Sequence, residues 1–338
     1  MYPTLDLIVL NTIDLYKNTI HLPKLDLTQF QTPIVVGSGN GYYTGRILFR
    51  NLGAFFATES EIEAKLANIP AITDVVVVSA SGEKHAPIIL NAAKKYNKNT
   101  LLISSSERSS GRDIADQSIV MPKIEEPYTY NTSTYFGYML AEDPSLDMSQ
   151  LEKFVTTTLE NEIRKVDFGK YTSFCIVIPD QFVLIREMFE TKFIELFGRK
   201  IARDVFSYEQ MKHATTVVQD DDELFICFGN NTGIRYGDNQ IDLPVFIEVS
   251  QKQEDQGGEI FSKGVSWSGN NWEINLSNEK NRSFSETSTS YAAMMLVGYY
   301  TIGKIQVAFP PYFMDSIDDY CTRAKALSGF NISPIVKI

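Results

Sequence analysis

Two groups of residues in this 338-residue sequence have types and spacing suited to chemistry. The first is Ser79, Ala80, Ser81 and Gly82, which follow the β-branched run Val75, Val76, Val77 and Val78 and precede helical character over 83–96. A turn between a buried parallel strand and a helix exposes backbone N–H groups at the positive helix end, an arrangement that attracts a phosphate-type anion. The two hydroxyls add donors, and the glycine lets the backbone approach closely. An ordinary strand-to-helix turn fits the same four residues. A second serine-rich turn, Ser104, Ser105 and Ser106, closes the short strand at 99–104 and adds weight to the anion reading. The second group is Lys192, Glu195 and His213. Lys192 and Glu195 are three apart and share one face of a helix predicted near 181–197. They suit a proton-transfer pair or a surface ion pair, and His213 suits a proton shuttle or a satisfied, partly buried imidazole.

A third turn, Gly37, Ser38, Gly39, Asn40 and Gly41, follows the apolar run at 32–36. It superficially resembles a dinucleotide fingerprint, but the spacing is GxGxG and not GxGxxG. The acid expected about 20 residues further on is met only by Glu59 or Glu61, neither of which ends a recognisable strand. A sugar phosphate lying across this turn, with Ser38 as a hydroxyl partner, is the better reading. A tight turn with no ligand is the alternative.

The elements that must position these groups read as α/β. Apolar runs at 32–36, 75–78, 99–104 and 119–122 alternate with helical stretches at 42–52 and 83–96, the pattern of a parallel sheet covered on both faces. Helices are predicted at 132–141 and 149–165. A second α/β series begins at 174–179, with its companion helix at 181–197, strands at 224–228 and 245–249, and a closing helix at 290–302. Residues 5–31 read as a leading helix or arm, and 251–290, rich in Gly, Ser, Asn and Glu, as exposed loops and edge structure. The expected organisation is two lobes, 1–150 and 151–338, with the change of lobe between the acidic turn at 142–147 and Lys170.

Composition narrows the function. A formal net charge of −11 with no Lys/Arg cluster argues against nucleic acid as a partner. No apolar run approaches the 18 or so residues of a membrane span, and the acid-containing N-terminus does not read as a signal peptide, so a cytoplasmic, non-membrane protein is expected. Cys175, Cys227 and Cys321 are widely spaced, and the first two lie in strand-like runs as small hydrophobes. His21, His85 and His213 lack zinc-site spacing, and the acid run 220–223 reads as a solvated turn. No metal and no cofactor is expected.

In order along the chain, GSG at 37–39, SASGE at 79–83, SSS at 104–106, the helix start at Ser133 and Thr134, and KxxE at 192–195 followed by EQMKH at 209–213 resemble the double sugar-isomerase (SIS) domain family. The nearest likeness within it is to the isomerase half of glutamine–fructose-6-phosphate aminotransferase, and it covers nearly the whole chain. The resemblance implies two open parallel-sheet, flavodoxin-like three-layer lobes in tandem. It implies a phosphosugar held by Ser79, Ser81 and Gly82, with Gly37, Ser38 and Gly39 on a second ligand-facing turn and Ser133 and Thr134 closing the site. Lys84 stands where the family has a threonine, and could supply a cation to the phosphate or crowd the pocket. Glu195 is implied as the base that shuttles a proton between sugar carbons. His213 is implied in ring opening, often lent by a second subunit, and Lys192 as a charge partner or Schiff-base amine. Ala214 replaces the family's glycine after the histidine, and the second lobe has Pro179, Asp180 and Gln181 in place of a glycine-rich turn.

The implied activity is aldose–ketose isomerisation, or deamination or deglycation of an amino-sugar phosphate, in a homodimer with a shared site or a tetramer. No N-terminal nucleophilic cysteine is present for a glutaminase half, so ammonia transfer from glutamine is not expected. The alternatives are a non-catalytic phosphosugar sensor or interaction module, and a bifunctional phosphoglucose/phosphomannose isomerase.

Overall fold

The structure, a computed structural model, describes residues 3–127, 129–214, 220–230, 233–246, 265–268, 271–274 and 290–309. Helix α1 (Leu5–Asn18) buries Leu5, Ile8, Val9, Ile13 and Tyr16 on one helical stripe. Then follow β1 (Pro33–Gly37), α2 (Asn40–Leu48), β2 (Phe55–Ala57), α3 (Ile62–Asn68), β3 (Asp74–Val78), α4 (His85–Lys95), β4 (Asn99–Ser104), α5 (Ser110–Ile114) and β5 (Gln117–Val120). The five strands are all parallel in the order β2-β1-β3-β4-β5, the flavodoxin-like winding.

Helix α6 (Thr132–Glu142) leads to α7 (Met148–Lys153), a π-helical segment (Phe154–Leu159) and α8 (Glu160–Ile163). The second sheet is built from β6 (Ser173–Ile178), α9 (Arg186–Phe197), β7 (Ala202–Ser207), α10 (Tyr208–Ala214), β8 (Glu223–Phe228) and β9 (Gln240–Leu243), parallel in the order β7-β6-β8-β9. It repeats the winding of the first sheet through four strands. An antiparallel pair, β10 (Val265–Ser268) and β11 (Asn271–Ile274), and α11 (Tyr291–Ala308) complete the described chain.

Alternation along the buried strands decides which layer each side chain joins. Ile34, Val36, Val75 and Val77 face a cluster with α3 and α4, whereas Val35, Val76 and Val78 face a larger core. That larger core also takes Phe174, Ile176 and Ile178 of β6 and Leu224, Ile226 and Phe228 of β8. The opposite face of the second sheet carries Cys175, Val177, Phe225 and Cys227. One hydrophobic core therefore lies between the two sheets, filled by α1, α6, α9 and α11. Helices α1 and α11, from opposite ends of the chain, pack directly: a Cβ at Gly303 would stand 2.2 Å from the backbone nitrogen of Asp6. Among the described residues no helix is long and apolar enough to cross a membrane.

The predicted order of elements matches the fold, with differences at the sheet edges. Strands β2, β7 and β9 carry no long apolar run. A strand expected at 245–249 is absent where it is described: Val245 and Phe246 lie outside any strand, and β9 ends at Leu243 because Pro244 has no N–H for the ladder. The rest of that run, Cys321 and most of 251–290 lie outside the described residues.

Candidate functional site

In the first sheet the winding reverses between β1 and β3, so the turns after these strands flank the crevice where open α/β sheets bind ligands. The turn after β3 holds Ser79, Ser81 and Gly82. Ser79 Oγ accepts from Gly82 N at 3.2 Å and Ser81 Oγ accepts from Glu83 N at 3.2 Å, which curls the turn ahead of α4. Gly82 has φ +66°, and a Cβ there would stand 2.5 Å from Ser109 Oγ and 3.2 Å from Ser104 Oγ. Both the backbone angle and the space demand glycine. Ser109 is buried and its hydroxyl has no hydrogen-bond partner among the described residues, so it is a further candidate for this turn. The sequence signal for it was a further serine pair, Ser109 and Ser110, three residues after the 104–106 triplet. Lys84 follows as the exposed N-cap of α4 with φ +55°.

Two open depressions lie at the neighbouring turns, and neither is lined by Ser79, Ser81 or Gly82. One, of about 620 Å³, is bordered by Glu83, Arg108, Ser109 and Arg112. Another, of about 560 Å³, is bordered by Gly39, Tyr42, Tyr43 and Ser60. Ser38 and Gly39 are exposed at the start of α2, and Gly39 has φ +52°. Gly37 is buried and serves packing: a Cβ there would stand 2.6 Å from the carbonyl carbon of Gly41. Glu59, two residues after β2, pairs with His85 at the first turn of α4, and Glu61 closes a capping box with Thr58. The acids that a dinucleotide fingerprint would need are therefore committed to local structure. The carboxylate of Glu83 accepts from the Ser110 amide at 3.0 Å and from the Ser110 hydroxyl, and these bonds hold its pKa below the usual glutamate value.

Lys192 and Glu195 stand on α9, and the surface-pair reading fails for the lysine. Its side chain is 0% exposed and that of Glu195 is 24% exposed. The Lys192 ammonium donates to Glu195 Oε2 at 2.8 Å, to the Thr129 carbonyl at 2.5 Å and to the Tyr130 carbonyl at 2.8 Å, and lies 5.1 Å from the centre of the Tyr299 ring. Three acceptors for three N–H donors offset the cost of burying the charge.

Ser133 and Thr134 are buried at the start of α6, and the structure gives Ser133 a protein partner. Ser133 Oγ donates to Glu126 Oε1 at 2.5 Å, and the Ser133 and Thr132 amides donate to the same carboxylate at 3.0 and 2.8 Å. Ser133, expected to help close the site, is thus engaged with Glu126, whose carboxylate caps the N-terminus of α6. The sequence offered no cue to Glu126, because it lies seven residues ahead of Ser133, outside any capping-box spacing.

Helix α6 connects the two groups. The buried Tyr138 hydroxyl donates to the Ser79 carbonyl at 3.2 Å and accepts from Ser105 Oγ at 3.3 Å. Ser133 and Tyr138 are separated by about 7.5 Å along the helix axis. Lys192 grips the carbonyls just ahead of α6, so the serine turn and the Lys192–Glu195 pair are both tied to this one helix. His213 is not brought to them. Its side chain is 81% exposed on α10 and faces Glu209 of its own helix at 3.8 Å.

Burial pushes the Glu126 carboxyl above the ordinary glutamate value, against the bonds from Ser133 and Thr132 and the charge of Lys192, which pull it down. The folded state then holds this proton more tightly than the unfolded chain. Stability from this group is present at low pH and lost as pH rises from about 4.5 through the raised value. Glu126→Gln is expected to flatten that part of the stability–pH curve, measured by urea unfolding at successive pH values.

No protein-family model matches the sequence, and no curated protein does. Solved structures do. Glucosamine-6-phosphate deaminase from Thermotoga maritima superposes with a TM-score of 0.57 at 17% identity, covering 91% of this chain and 95% of that one. The C-terminal domain of glucosamine-fructose-6-phosphate aminotransferase from Francisella tularensis gives 0.52 at 13% identity, over 90% and 94%. Tagatose-6-phosphate ketose/aldose isomerase from Escherichia coli gives 0.52 at 11% identity, over 91% and 87%. At these identities the likeness is one of fold, and it extends over both sheets.

Proposed function

We propose that the protein binds a phosphorylated sugar at the 79–82 turn and uses Glu195 to move a proton between neighbouring sugar carbons. The reaction is an aldose–ketose isomerisation or the related deamination or deglycation of an amino-sugar phosphate. The observation that carries this reading is the coupling of two features through α6: a glycine-dependent hydroxyl turn at the switch point of the first sheet, and a carboxylate held by a fully buried lysine. The phosphate supplies remote binding energy that orients the reacting carbons. Glu195 retains an exposed edge, through which, as the base, it takes the proton alpha to the open-chain carbonyl in this reading. The triply bonded Lys192 ammonium suits charge stabilisation better than Schiff-base formation, which needs a neutral and accessible amine. The phosphosugar enzymes of the same fold support the substrate class.

The exposure of His213 favours one of two arrangements. Either a second copy of the chain receives it into a shared site in a homodimer, or the chain retains a phosphosugar site without ring-opening chemistry and acts as a sensor. Hexose phosphates, amino-sugar phosphates and fructosamine phosphates should be titrated calorimetrically and assayed for isomer formation and for ammonia or amine release. One member is expected to bind and turn over, and Gly82→Ala is expected to weaken its binding by about tenfold or more, because a Cβ there collides with Ser109 Oγ and disfavours the φ of +66° that shapes the turn. Binding without turnover selects the sensor. No binding by any member removes both readings.

A further inference from the structure

Glu126 is a partly buried carboxylate to which neither the sequence pattern nor the proposed reaction assigns a role. It caps α6 with three hydrogen bonds, from Thr132 N, Ser133 N and Ser133 Oγ. Between Glu126 and α6 lies the turn containing Thr129 and Tyr130, whose carbonyls are two of the three acceptors of Lys192. The third acceptor is Glu195. The carboxylate of Glu126 is also close enough for the charge of Lys192 to act on it.

We propose that Glu126 is a positioning residue for Glu195: by capping the head of α6 immediately after Thr129 and Tyr130, it fixes the two carbonyls that hold Lys192, and Lys192 fixes the Glu195 carboxylate. The proposal rests on the reading of Glu195 as the base, and adds a control of its geometry from the first lobe. The physical basis is connectivity. An ammonium with three donors aimed at three fixed acceptors has one orientation; if two acceptors loosen, it can follow Glu195 into other rotamers. The turn is well seated for such a role. Tyr130 is fully buried, donates its hydroxyl to the Pro3 carbonyl at 2.9 Å and accepts from Gln306 Nε2 at 2.9 Å. The carbonyls of the turn thus stay anchored from below by Tyr130 and from α6 by Glu126.

A cap that only holds a helix would lower stability and leave the chemistry intact, so the test compares two caps. Asp147 caps α7 through the Ser149 and Gln150 amides at 2.9 and 3.0 Å, and belongs to neither group of site residues. Glu126→Gln keeps one acceptor oxygen, and Glu126→Ala keeps none. With the substrate found in the panel, Glu126→Gln is expected to lower kcat by about 10–100-fold with KM within about threefold, the signature of a misplaced reacting group with intact substrate binding. Asp147→Ala is expected to lower the melting temperature comparably and leave kcat unchanged.

A second measurement does not depend on turnover. Lys192 is fully buried, so its acetylation by acetic anhydride, read by peptide mass spectrometry, is expected to be slow in the native protein. It should rise at least tenfold in Glu126→Ala, relative to the exposed Lys200, and stay unchanged in Asp147→Ala. Unchanged Lys192 labelling in Glu126→Ala overturns the proposal, as does a loss of kcat shared equally by Glu126→Gln and Asp147→Ala. Absence of turnover in the native protein with a labelling response intact overturns the role of Glu195 as a base, and leaves the turn's grip on Lys192 established.

Discussion

Turnover of the preferred phosphosugar by Glu195→Gln is expected to fall by about 10²–10⁴-fold, the range typical of removing a positioned general base. The substitution is nearly isosteric. The amide oxygen can still accept from the Lys192 ammonium, so the three-acceptor arrangement around Nζ survives. Glutamine cannot take up the proton alpha to the carbonyl, so the loss falls on kcat, and phosphosugar affinity is expected to stay within about threefold. Steady-state kinetics on the native protein and the variant, with calorimetric affinities for both, check this. An equal loss of binding and turnover would place Glu195 among the ligand-holding residues and remove it from the chemistry.

The second large effect is on stability. Lys192→Met retains the length and apolar stem of the side chain, but deletes the ammonium that satisfies the carbonyls of Thr129 and Tyr130. Both residues are buried, and no solvent reaches Lys192 to replace its donors. Leaving two buried acceptors unpaired costs about 2–4 kcal/mol after the gain from a better-matched apolar side chain. At about 2–4 °C per kcal/mol for a chain above 150 residues, the melting temperature should fall by about 5–15 °C. Glu195→Gln should move it far less, because Glu195 is partly exposed and its replacement still accepts. Calorimetric scans of the two variants separate the roles: a Lys192→Met melting point close to the native value would show that the carbonyls find other donors.

Much of the scaffold was legible because its strands are buried on both faces. Val75, Val76, Val77 and Val78 form an unbroken β-branched run for that reason, and β6 and β8 carry unbroken apolar runs, Phe174 to Ile178 and Leu224 to Phe228. Of the edge strands, β5 overlaps the run at 119–122, whereas β2, β7 and β9 were not legible. β7 reads Ala202, Arg203, Asp204, Val205, Phe206 and Ser207, with exposed and buried positions mixed, because only one of its sides meets a neighbouring strand. β2, three residues long, is too short to carry a pattern.

At the site, the division follows the range of the interactions. Ser79, Ser81 and Gly82 were readable because the turn is made by local bonds, donated to Ser79 Oγ by the amide three residues on and to Ser81 Oγ by the amide two residues on. The sequence also placed Lys192 and Glu195 on one helical face, since a spacing of three is a local property of the helix. It could not place the lysine inside the protein. That depends on carbonyls 62 and 63 residues away, which reach it only when the sheets pack around α6. The same packing puts Glu126 at the head of α6, engages the Ser133 hydroxyl with it, and leaves His213 on the surface. Local spacing thus determined which residues form turns and share faces. Burial and the pairing of distant polar groups, decided only by the tertiary structure, set which of them can act together.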